Sequence, residues 1–342
     1  MIWSFVLIAA LSLSATAPVA QPSARAPVLT TAHFAIYSDF NVNLNDALIN
    51  TGLARRNKKP ELFHAGADAA CFDKLSQPAR AAWDRAVDYY AEVVSPGDFT
   101  SRQQFLIRLK LAGFDGDWHS GAGAEVVDIA EHFRSAAATA YTACRWAAQD
   151  ESNRRWIADI QPRLAADEEK IAGRLEQLYV KRWKTLPILV DVVETVNWAG
   201  ANTSWSDAGQ GHILIANQPA GPSGLETLFH ESSHVLMDRT DPVRAALDAA
   251  AKSAGFRPPN DLWHLVLFYT TGEAVRPILD AHGPPVYTPM LYEIFGRGTW
   301  VEYRQALEKT WLPYVQGKKS LTEAAADFID AIRKQTPGRV AW

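Results

Sequence analysis

HILIANQPAGPSGLETLFHESSHVLM, His212 to Met237, is the stretch on which the reading of this chain turns. Its first six residues are mostly apolar and isoleucine-rich and read as a strand. The turn-forming QPAGP follows. Ser223 then stands three residues before Glu226, a capping-box spacing, and the helix it opens is expected to run to about Met237. At 3.6 residues per turn Thr227, His230, Glu231 and His234 share one stripe, while Leu225, Phe229, Ser232 and Leu236 share another. A strand leading directly into an amphipathic helix, within a chain whose other patterns are mainly helical, predicts an α+β fold that is mostly α-helical, with this helix beside a small β-sheet.

Working outward, LPILVDVV (Leu186 to Val193) is a second β-rich run, expected to pair with HILIAN as a hairpin or as a neighbouring strand. The intervening NWAGANTSWSDAGQG is dense in turn residues. Upstream, HFAIYSD (His33 to Asp39) is a short strand candidate. Helical patterns begin at Gln77, with Trp83, Val87 and Tyr90 on one side. They continue through Ser101 to Leu111, Glu125 to Ala148 and Asn153 to Trp183, where DEEK (Asp167 to Lys170) reads as a solvated face. Beyond Ser223 the chain reads as helical nearly to its end, with breaks at 255–260, 282–289 and 296–298. This divides the chain into a signal peptide over 1–20, a linker over 21–32, a helical N-terminal region over 33–185 and a region over 186–342 that holds the small sheet, the histidine-bearing helix and the C-terminal helices.

With 342 residues, 48% of them hydrophobic, the chain can bury a large core. A net charge of −4 and no Lys/Arg block argue against a nucleic-acid partner. Met1 to Ala20 is an apolar run passing into small residues, too short for a comfortable membrane span. It reads as a secretory signal although no basic residue precedes it. The mature protein is therefore expected in the periplasm or secreted, with no stable membrane span. Cys71 and Cys144 can pair in such a compartment, but spacing does not decide it.

The histidine stripe carries the chemistry. Imidazoles at i and i+4 of a helix can both reach one zinc ion at about 2.1 Å. The intervening Glu231 is angled to reach a water on the metal without ligating it. Zinc would lower that water's pKa to about 7, and the carboxylate would take its proton as it attacks a carbonyl. A third ligand is needed. Within the apolar segment Asp261 to Leu279, Glu273 is the preferred choice, because a buried carboxylate is costly unless paired or metal-bound. Its alternative is an ion pair with Arg276. His264 is the second candidate; nine residues from Glu273, it sits half a turn out of phase and cannot share one ion with it from a straight helix. Asp207 and Asp238 are candidate partners for the ligand imidazoles. Tyr269, His282 and Tyr287 are candidate oxyanion donors. No phosphate-binding loop or nucleophile elbow is present.

HESSH followed by a distant helical glutamate resembles the gluzincins, the thermolysin-like clan of zinc metallopeptidases. HILIAN resembles their edge strand, to which extended substrate adds. Pro277 stands four residues after Glu273, where that pattern has an Asp. The resemblance covers roughly residues 186–280. It implies a single zinc on His230, His234 and Glu273, Glu231 as general base, and an exported enzyme that hydrolyses peptide bonds. The competing expectation is a non-catalytic periplasmic binding or scaffold protein that keeps a zincin shell.

Overall fold

A computed structural model describes residues 25–64, 66–96, 101–114, 124–196, 200–238, 240–290 and 298–335. The expected signal peptide lies outside them. The fold is α+β and mostly helical. Strands β1 (Leu29–Thr30), β2 (Phe34–Tyr37), β3 (Ile188–Val193), β4 (Ala201–Trp205) and β5 (Gly211–Ala216) form one sheet in the order β1-β2-β3-β5-β4. β2, β3 and β5 run parallel, and β1 and β4 pair antiparallel at the two ends.

Three expectations change here. HILIAN is an inner strand: the turn-rich stretch before it supplies β4, which takes the edge. Gly200, Asn202 and Gly209 make the segment read as turns and hide the five-residue strand within it. Of the expected linker, residues 25–32 are built into the fold, because β1 pairs with β2 and Arg25 reaches inward to Asp191, Asp39 and the Leu111 carbonyl; residues 21–24 lie outside the described residues. The boundary at 185/186 also does not separate two units, since β2 pairs directly with β3.

The helices are α1 (Phe40–Arg56), α2 (Gly66–Phe72), α3 (Gln77–Tyr89), α4 (Arg102–Leu111), α5 (Ala124–Tyr141), α6 (Ala147–Tyr179), α7 (Gly221–Ser233), α8 (Pro242–Ser253) and α9 (Leu262–Asp280). A C-terminal helix, Leu321–Gln335, follows. α5 and α6 run on through a π-turn, Thr142–Trp146, so the expected break near 150 is absent. α6 ends at Val180, a left-handed cap with φ 53°. DEEK is not a solvated face: Asp167 and Glu168 are buried, Asp167 bonded to His282 and Lys170, Glu168 accepting from Thr31 and the His33 amide.

Alternation along the strands sends residues to two faces. Ile188, Val190, Val192, Ile213 and Ile215 join α6, α7, α9 and the C-terminal helix in the main core. Leu189, Val193 and Leu214 face α1 and α4. On that second face runs a buried polar string. Asp191 takes the Arg25 guanidinium and stands 2.8 Å from His212 Nε2, and Ser204 Oγ lies 3.3 Å from His212 Nδ1. A separate helical core holds Leu44, Leu48, Trp83, Val87, Tyr90 and Tyr141, with Trp83, Val87 and Tyr90 buried as the periodicity implied. Cys71 and Cys144 form a disulfide joining α2 to the π-turn. Closing a loop of that span contributes about 4 kcal/mol in the chain-entropy account. No helix among the described residues is long and apolar enough to cross a membrane.

Candidate metal centre

α7 follows β5 and begins three residues earlier than the capping box implied, with Ala220 rather than Ser223 as its N-cap. Its first amide, Gly221 N–H, donates to Asp159 of α6. Glu226 does not close back on Ser223. Its carboxylate instead accepts from the Tyr287 hydroxyl and the Met290 amide, and burial pushes it up to about 7. The tertiary contact outcompetes the local one because it satisfies a buried carboxylate that would otherwise be unpaired. α7 ends at Ser233 with His234 as its C-cap, four residues short of the expected Met237.

The donor nitrogens of His230, His234 and His264 all lie within 4.8 Å of one another. His230 Nε2 and His264 Nε2 are 3.3 Å apart. Two nitrogens held at 2.0–2.1 Å by one tetrahedral ion stand about 3.3–3.4 Å apart, so this pair is already at ligand spacing. Burial depresses all three imidazoles: His230 well below its ordinary value, His234 to about 3 and His264 to about 4. They are therefore neutral at pH 7, which is the form that ligates. The donor set fits a divalent zinc ion.

Glu273 is not among these donors. α9 packs antiparallel to α7, and side-chain contacts step down the pair: His264 against His234 and His230, Phe268 stacked on His230 at 3.6 Å, then Gly272 close against Glu226. Nine residues on a helix rise about 13 Å, which carries Glu273 away from the imidazoles. Its buried carboxylate takes the Arg276 guanidinium instead. The argument that selected Glu273, the cost of burying a carboxylate, is answered by an ion pair one turn on. His264 was the weaker candidate because a lone imidazole in an apolar helix is so often core. What marks it in the sequence is its position in the first turn of α9, between Trp263 and Phe268 on the site-facing side.

Glu231 is buried beside the histidines, and burial pushes its carboxyl up to about 7, opposed by a hydrogen bond from Thr203. The Thr203 hydroxyl on edge strand β4 lies 2.5 Å from Glu231 Oε2 and 2.8 Å from its carbonyl. Thr203 falls in a segment dense in turn residues, so no residue pattern singles it out. Of the expected partners of the imidazoles, Asp207 and Asp238 are both exposed, and Asp238 lines the cleft that His234 also lines. His230 Nδ1 is buried with no hydrogen-bond partner among the described residues. Tyr269 is fully buried in the main core, His282 is bonded to Asp167 and Tyr287 to Glu226, and none of the three lines the adjoining cleft. Aromatic rings enclose the cluster. Trp263 packs on His234 and His264, and Trp300 stands edge-on to His264. The Ser204–His212–Asp191 string resembles a nucleophile relay only in its order. All three residues are at most 1% exposed, and Asp191 is engaged by Arg25.

No family model, curated protein or solved structure matches this chain.

Proposed function

We propose that this chain is a zinc-dependent hydrolase acting on peptide bonds, with His230, His234 and His264 holding the ion and Glu231 as general base. The observation that carries the reading is the convergence of three neutral imidazoles from α7 and α9, His230 buried and His234 and His264 half-buried, with the buried Glu231 next to His230 in the chain. Relative to the gluzincin pattern, the third ligand becomes a histidine. The bound ion supplies Lewis acidity, activating a water and polarising the scissile carbonyl. The residues of the chain do the rest. Glu231 accepts a proton from the attacking water and passes it to the leaving amine. Thr203 fixes the Glu231 carboxylate, and the aromatic walls keep bulk water from the imidazoles. Among the described residues β4 is an edge strand beside α7, on which an extended substrate can lie. The Cys71–Cys144 bridge and the apolar N-terminus support export to an oxidising compartment.

The test is Glu231→Gln. The variant is expected to keep about one zinc per chain by elemental analysis while hydrolysis of a mixed peptide library falls by two or more orders of magnitude. A variant as active as wild type removes Glu231 from the mechanism. A wild-type protein that holds zinc and cleaves nothing favours the binding-protein alternative.

A further inference from the structure

A cavity of about 180 Å³ opens between α1, the residues that follow β3 and the end of α5, and among the described residues it shares no lining with the cleft beside His234. α1 contributes Asp46 and Asn50 to its wall, Glu194 and Thr195 follow β3, and Tyr141 is the last residue of α5. Asp46 is 3% exposed. Its Oδ2 accepts from Asn50 Nδ2 at 2.9 Å; among the described residues its other oxygen accepts no hydrogen bond and no cation pairs with it. Arg108 acts on it only through its charge, since Nη1 of that guanidinium is given to Asn202 Oδ1 at 2.9 Å. Burial pushes the Asp46 carboxyl up to about 7 in spite of Arg108. Tyr141 is a second and independent sign. It is 2% exposed, its ring meets Phe40 edge-on at 5.8 Å, and its hydroxyl has no hydrogen-bond partner among the described residues. Burial raises that hydroxyl above its ordinary value, and the charges of Glu194 and Asp46 across the cavity add to the shift. Buried hydroxyls ordinarily find a partner; this one faces the cavity. The remaining polar lining has few donors to offer. Asn43 and Thr51 spend theirs on the carbonyls of Asp39, Val192 and Ala47, and the Asn50 amide nitrogen is turned to Asp46 and the Thr195 carbonyl, which leaves Asn50 Oδ1 as an acceptor. Glu194 takes the Arg145 guanidinium, which also holds Asp68 at 2.8 Å. Three carboxylates, Asp46, Glu194 and Asp68, thus stand against two guanidinium groups, Arg108 and Arg145, and one negative charge is left over.

We propose that this cavity is a binding site for a primary alkylammonium group, held by Asp46, Asn50, Glu194 and the Tyr141 hydroxyl. An ammonium has three N–H donors and no acceptor, which matches an acceptor-rich wall, and its single charge offsets the surplus carboxylate. Ala54, Pro60 and Leu62 complete the lining and cover its methylenes. At about 15 Å³ for each water-sized group the space takes on the order of ten such groups, enough for an amine of about four or five carbons and more than a bare ion needs. A hard divalent ion requires about six to eight oxygens, whereas this wall carries two carboxylates. The site stands apart from the metal centre and does not depend on the hydrolase reading. The ammonium has two sources, a free small amine or the side chain of a lysine.

The experiment is calorimetric titration of the full-length chain at low ionic strength with n-butylamine, cadaverine and Nα-acetyl-lysine amide. Butanol, Nα-acetyl-norleucine amide and calcium chloride serve as counterparts. At least one amine is expected to bind one-to-one and about ten-fold or more tighter than its neutral counterpart, equally well after chelator treatment has emptied the histidine site. A gain with the free amines alone identifies a small amine, and a gain with the lysine amide identifies a side chain. Asp46→Asn should weaken the amine about ten-fold or more, and Tyr141→Phe about three-fold or more with Tm unchanged. A purely structural effect would instead weaken amine and alcohol alike. Tyr141→Phe keeps the ring and its packing, so it carries the test should Asp46→Asn fail to fold. Alcohol bound as tightly as amine, no amine bound at all, calcium bound in place of the amines, or an amine affinity unaltered in every variant that folds overturns the proposal.

Discussion

At the scale of single residues, the HExxH stripe was legible because it needs only helical periodicity and residue type. His230, Glu231 and His234 stand together as the spacing implied. The approach of His264 to the two imidazoles was not legible, because it depends on how two helices cross, and one sequence does not encode that crossing in any local pattern. The two choices make opposite predictions. His264→Ala is expected to lower zinc affinity by orders of magnitude in a competition titration, while Glu273→Gln keeps it. The reverse outcome would return the ligand role to Glu273. Thr203 shows a second limit. Its meaning comes from standing 2.5 Å from Glu231 Oε2, a distance set by sheet order.

Among the elements, β3, β5 and α7 were readable from composition and period, and the parallel pairing of β3 with β5 is one of the two arrangements expected. β4 was concealed by the glycines around it. The ends of helices were less legible, since tertiary partners override local caps: Asp159 takes the first amide of α7, and Glu226 is drawn off to Tyr287 and Met290. The C-terminus of α6 carries a testable strain. Val180 is a β-branched residue at φ 53° and 56% exposed, so its side chain contributes little packing while its backbone conformation is disfavoured. Val180→Gly is expected to stabilise the protein by about 1 kcal/mol, read as a rise in the urea midpoint with unchanged slope. A loss of stability would mean that the αL conformation is not strained here.

For the whole molecule, composition and the two β-rich runs gave the class, but not the way the N-terminal segment is woven in. Arg25 came from a stretch that reads as linker, yet its guanidinium neutralises Asp191, whose side chain is fully buried. Arg25→Met leaves that carboxylate without its cation and is expected to destabilise the fold by about 3 kcal/mol or more in chemical denaturation. A change below about 1 kcal/mol would show that His212 alone satisfies Asp191. The pairing of β2 with β3 has a temporal consequence. Phe34 meets Ile188, so roughly 150 residues of polypeptide must be synthesised and brought round before the first long strand finds its neighbour. Until then β2 presents an unmatched hydrogen-bonding edge, which the nascent chain has to keep shielded until its distant mate emerges.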